Sequence, residues 1–153
     1  AGFNYGAGDY VRMKRSVKLA MITATAISVS GTLILMLFPG SLMRLFSGDD
    51  ALISQGVSAL RIIVIAFPLV GFHVIGTILF QATGKAFQTL FLTLSRQILF
   101  LIPLVLILSR FFHLAGIWIA FPVADVLSFL VTLWMLLRYR HLYRGPAPVL
   151  SAK

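Results

Sequence analysis

Three scarcities narrow this chain before any motif does. It contains no cysteine, which excludes a disulfide framework and any thiolate metal site. It has no glutamate and four aspartates, Asp9, Asp49, Asp50 and Asp125. Two of these are adjacent, so a two-metal carboxylate centre is out of reach and no metal or cofactor is expected. Charge of either sign is sparse: 11% of residues against 59% hydrophobic, with a mean hydropathy of +0.99. A water-soluble domain carries about 25% charged residues. The balance is that of an all-α, polytopic membrane protein in a lipid bilayer.

The enzymatic signatures are missing as well. There is no GxSxG, HExxH or Walker sequence, and no DxxxD pair to hold magnesium, so no catalytic residue is expected. The formal net charge of +9 comes from 13 Lys plus Arg. They cluster at the ends of apolar runs and form no basic face, which argues against a nucleic-acid partner. The chain opens on Ala1 with no signal-peptide pattern, so it is expected to start mid-protein or to have been trimmed.

What is present are four apolar runs, predicted as spans at roughly 17–41, 61–82, 89–109 and 114–137. Arg12, Lys14, Arg15 and Lys18 precede the first, in which Ala20, Ala24, Ser28 and Gly31 share a helical face that lets another helix come close. Pro39-Gly40 ends it, and Ser47-Gly48-Asp49-Asp50 makes a polar turn. An amphipathic lead-in, 51–60, brings the chain to RIIVIAFPLVGFHVIGTILFQATGK. Ile62 to Phe80 is free of charged residues. Those 19 residues make a helix of roughly 29 Å, matched to a hydrocarbon core of ~30 Å, with Arg61 and Lys85 at its ends. Arg110 to His113 is expected as a short loop between the last two spans. A tail, 144–153, that includes Gly-Pro-Ala-Pro reads as disordered.

The cations give an orientation. With both termini cytoplasmic, the inner side holds Arg12, Lys14, Arg15, Lys18, Lys85, Arg138, Arg140, Arg144 and Lys153. The outer side holds Arg44, Arg61 and Arg110, a clear positive-inside bias.

Polar residues at depth are the candidates for function. Asp125 lies near the middle of the last run, His73 near the middle of its own, and Arg96 with Gln97 interrupts the third. A charge at the bilayer centre costs about 2.5–3.5 kcal/mol even on the lenient insertion scale. Such groups therefore face the bundle interior or a water-filled cavity. Asp125 reads either as a structural residue, tied to backbone groups freed at Pro122 or paired with a partner helix, or as an ion- or substrate-path residue. His73 shares a face with Thr77 and Gln81, and reads as a packing residue or part of the same path. Arg96 can snorkel or pair with an internal carboxylate. Pro68, Pro103 and Pro122 each fall within a span and are predicted helix kinks. Transporters use such bends.

These stretches resemble a known family. The opening Gly2, Phe3, Asn4, Tyr5, Gly6 and Ala7, followed by a basic stretch, is similar to the end of the eighth helix of multidrug and toxic compound extrusion (MATE) transporters. LRIIVIAFPLVGFHVIGTILFQATGK resembles the tenth helix, LSRQILFLIPLVLIL the eleventh, and GIWIAFPVADVLSFLVTLWMLLR the twelfth, closest to the bacterial multidrug exporters. The resemblance implies a two-lobe, twelve-helix antiporter in the inner membrane that expels cationic amphipathic compounds in exchange for H⁺ or Na⁺. This chain would be most of its C-terminal lobe, partnered by the missing N-terminal lobe. The tenth-helix acidic residue of some members has no counterpart here, where His73 is the titratable group. The alternatives are a non-transporting anchoring or assembly module and a related flippase for lipid-linked sugars.

Overall fold

In the structure, a computed structural model that describes residues 1–140, every element is helical. A short α1 (Gly2–Gly6) leads into α2 (Tyr10–Leu37), α3 (Pro39–Arg44), α4 (Asp50–Val64), α5 (Phe67–Ala82) and α6 (Ala86–Leu94). A π-helical segment (Ser95–Leu101) then runs directly into α7 (Ile102–Arg138). The tail with Arg144 and Lys153, expected to be disordered, lies outside the described residues.

Local chemistry sets the helix ends. The Asp9 carboxylate accepts from the Arg12 backbone N–H at 2.9 Å and starts α2 well before the apolar run. The basic cluster from Arg12 to Lys18, expected as a boundary ahead of the helix, is therefore inside it. Asp49 caps α4 in the same way, accepting from Ala51 N–H at 2.8 Å, so the expected lead-in 51–60 is continuous helix. Each cap satisfies an N–H that the helix leaves unpaired.

The prolines mark three different events. Pro68 sits in the first turn of α5, after a break at Ile65 and Ala66 where α4 and α5 bend by 46°. Pro103 occupies the first turn of α7, just after the π-helical segment. Pro122 lies within α7, with helical backbone on either side.

The helices α2 and the run Ala86–Arg138 are long and apolar enough to cross a membrane, and the bent pair α4–α5 qualifies as one broken span. At about 1.5 Å per residue, the 53-residue run is more than twice the core thickness. It doubles back: His113 departs from helical geometry with φ 51° and ψ −129°. Arg96 then meets Asp125, and Gln88 meets Tyr139, across an antiparallel hairpin. The expected loop at Arg110–His113 is thus a reversal made almost entirely at one residue.

The packing inverts that of a water-soluble bundle. Large apolar side chains such as Leu19, Ile27, Leu33, Ile98, Leu106 and Leu130 are exposed, whereas Thr32, His73, Ser95, Asp125, Ser128 and Thr132 are buried. Such a surface suits lipid, because hydrocarbon solvates it and the polar groups find partners inside. The apolar core gathers at the basic end, where Met13, Leu79, Phe80, Leu92, Met135 and Leu136 pack together. The ring of Tyr139 stands edge-on to Phe80 at 5.7 Å. The opening motif docks at this end: Gly2 abuts the Ala82 carbonyl and Tyr5 packs on the core, while Phe3 points away and is exposed. Of the small-residue face on α2, Ala24 and Ser28 receive α5 at Gly71; among the described residues nothing approaches Gly31.

Candidate functional site

The polar residues singled out in the sequence converge where α5, the π-helical segment and α7 meet. Arg96, the second residue of the π-helical segment, reaches Asp125 on α7. Its Nε and one terminal nitrogen both donate to Asp125 Oδ1, at 2.8 and 2.7 Å. The Asp125 side chain is 2% exposed and that of Arg96 32%. Asp125 Oδ2 is buried and has no hydrogen-bond partner among the described residues. Of the two structural ties expected for the carboxylate, to backbone freed at Pro122 or to a partner helix, its bonds take the second form and go to Arg96. Doubled on one oxygen, the guanidinium leaves its remaining N–H groups and Oδ2 uncommitted to each other. Such an arrangement is less complete than a two-oxygen fork.

Beside this pair, His73 of α5 meets α7 through Nδ1, 2.8 Å from Thr132 Oγ1. The Thr132 hydroxyl also lies 2.8 Å from the Ser128 carbonyl. A hydroxyl has one proton to give. With that proton on the Ser128 carbonyl, Thr132 accepts from His73 Nδ1–H. Ser128 Oγ in turn donates to the Ala124 carbonyl at 2.7 Å. The row Asp125, Ser128, Thr132 occupies i, i+3 and i+7 on one face of α7, turned toward α5 and the π-helical segment.

A cleft of about 460 Å³ opens next to these groups, lined by His73, Thr77, Thr93, Arg96 and Gln97. Arg96 therefore belongs both to the buried pair and to the cleft wall. Gln97 joins it there, whereas Gln81 lines a neighbouring cleft with Gly84 and Thr89, linked to the first through Thr93. Thr77 and Thr93 donate to the carbonyls four residues earlier, so they present lone pairs to the cleft. No cluster of His and carboxylate groups capable of holding a metal occurs among the described residues. The arrangement can recognise ions and hydrogen-bonding groups.

Thr132 and Ser128 had not been singled out in the sequence. The offset of Asp125, Ser128 and Thr132 along a single face would have pointed to them. The π-helical segment that aims Arg96 has no sequence signal beyond the proline that follows it. Such segments often occur at functional positions in helices.

The MatE family model matches residues 1–107. No curated protein sequence matches the chain. Among solved structures, the MATE multidrug transporter DinF-BH in complex with R6G is 46% identical, with a TM-score of 0.87 over 94% of this chain and 32% of that one. An inward-facing multidrug resistance MATE family transporter of the MOP superfamily has 23% identity and a TM-score of 0.85, over 95% of this chain and 34% of the other. A MOP superfamily transporter from Pyrococcus furiosus, described as having a binding pocket of reversed polarity, has 24% identity and a TM-score of 0.83 over 92% of this chain and 32% of that one. These last two share the fold. The chain spans about a third of the length of the transporters it matches. A family match over more than half the chain shows that this chain belongs to the MATE family of membrane transporters.

Proposed function

We propose that this chain contributes C-terminal-lobe helices to a secondary transporter that exports cationic amphipathic compounds in exchange for H⁺ or Na⁺. The carrying observation is the Arg96–Asp125 pair, buried amid apolar helices with Oδ2 unpartnered among the described residues and, alongside, a mainly apolar cleft into which His73, Arg96 and Gln97 bring polar groups. A helix that served only as an anchor gains nothing from a charged pair at that depth, because its desolvation opposes insertion. In a transporter, a carboxylate that exchanges its arginine for a proton or a monovalent cation links ion binding to helix position.

Asp125→Asn separates this role from a structural one. Asn keeps the size and most hydrogen bonds but cannot ionise. In the full-length protein the variant is expected to reach the membrane at the parent's level, with ion-driven efflux of R6G, the compound bound in the DinF-BH relative, lowered at least about ten-fold, the equivalent of about 1.4 kcal/mol. An unchanged rate and pH profile would place coupling elsewhere.

The proposed setting is the inner membrane with both termini cytoplasmic, from the asymmetry of the cations. The absence of native cysteine makes this directly testable. An impermeant thiol reagent on intact cells should label Asp49→Cys in the full-length protein and leave Arg140→Cys unlabelled until the membrane is opened. The reverse pattern would invert the topology.

A further inference from the structure

We infer that the groove between α2, α5 and α7 at the basic end is a seat for an anionic phospholipid. The groove has a volume of about 410 Å³ and is walled by Val17, Met21, Phe72 and Leu133, with Lys14 and Lys18 on its rim. The two lysines stand at i and i+4 on α2 and so lie over the same face. From Lys14 to Met21 the helix advances roughly 10 Å, so the groove runs from the charged rim down into the apolar body of the bundle. A polar head above an apolar trough is the complement of one phospholipid: phosphate on the ammonium groups, acyl chain along the wall.

The electrostatics commit the occupant to an anion. Both lysine side chains are exposed, and neither has an ion-pair partner among the described residues. Asp9, the nearby carboxylate, is engaged in capping α2 at the Arg12 N–H. Arg15, Arg138 and Arg140 add to the same end of the bundle. Basic pockets between membrane helices recruit anionic headgroups in this way, each Lys near the surface strengthening binding by a factor of about five. The lysine stems can lie along the groove while their heads reach the phosphate. This site is separate from the Arg96 cleft and does not depend on what the protein transports.

The test is native mass spectrometry on the full-length, delipidated protein, titrated with phosphatidylglycerol and, in parallel, phosphatidylcholine of the same acyl chains. The parent should retain phosphatidylglycerol preferentially. Lys14→Gln with Lys18→Gln should weaken that lipid about 25-fold and leave phosphatidylcholine unchanged. Leu133→Trp, which fills the trough and keeps both lysines, should lower retention of both lipids. Arg138→Gln, at the same end but outside the groove, should have little effect. The inference is overturned if the parent shows no preference, as when another part of the protein covers the groove. It is equally overturned if the lysine pair is neutral or Arg138→Gln matches it, since either result reduces the effect to general surface charge. Unchanged retention in Leu133→Trp would remove the acyl seat.

Discussion

Arg96→Met in the full-length protein is expected to lower stability by about 3 kcal/mol, read as the shift in its unfolding transition in mild detergent. Removing one partner of a buried ion pair typically costs about 3–5 kcal/mol, because the other charge is stranded. The lower end applies here because Arg96 is partly exposed on the cleft side, so part of the original pair is already solvated. Asp125 is not: without Arg96 its carboxylate must bind a proton or draw in water. The opposite truncation should be milder. Asp125→Leu leaves an arginine long enough to swing into the cleft, and about 1 kcal/mol is expected. Combining Arg96→Met with Asp125→Leu should recover most of the loss, since paired apolar replacements are often neutral or stabilising. If Asp125→Leu were the more damaging single change, or the losses simply added, the pair would not be a coupled unit.

The second large effect is at the glycines of α5. A Cβ at Gly71 would lie 2.9 Å from the Ala24 carbonyl oxygen and 3.0 Å from both its carbon and Ser28 Oγ. Backbone cannot rotate away, so even Gly71→Ala must push α5 off α2. About 2 kcal/mol is expected for Ala, and more than about 3 kcal/mol for Leu, at the upper end of overpacking costs. Gly76 faces a side chain instead, the Thr132 methyl, into which its Cβ would run. Thr132 is stiff at χ1 and holds His73, so Gly76→Ala should cost about 1–2 kcal/mol and also disturb that hydrogen bond. Thermal unfolding ranks the variants, and transport by Gly76→Ala tells whether His73 placement matters. A neutral Gly71→Ala would show that the α2–α5 approach is looser than the geometry implies.

Much of the fold could be read along the chain. Uninterrupted apolar runs of about 20 residues in a chain with 11% charge form helices in lipid, because a helix satisfies its own backbone there. Asp9 and Asp49 were visible as acids near helix starts, yet their capping role moved both starts earlier than hydropathy suggested. Hydropathy reports where side chains are apolar; a cap reports where hydrogen bonding begins.

The candidate site was legible in its members and not in its connections. His73, Arg96 and Asp125 stood out because polar groups in apolar runs are costly. By themselves the residues determined a membrane helix bundle, its likeness to the MATE family, and which side chains needed partners inside it. The tertiary structure decided the rest. Arg96 reaches Asp125, 29 residues on, because the chain reverses at His113 and the π-helical segment sets the angle of Arg96, and neither changes the apolar pattern. Thr132 carried no signal beyond its register with Asp125, for a related reason. Like Thr77, Thr89 and Thr93, it bonds the carbonyl four residues back, an i−4 bond open to threonine in helices generally. Only the crossing of α5 over α7, close because Gly76 has no side chain, distinguishes it by bringing His73 to its oxygen.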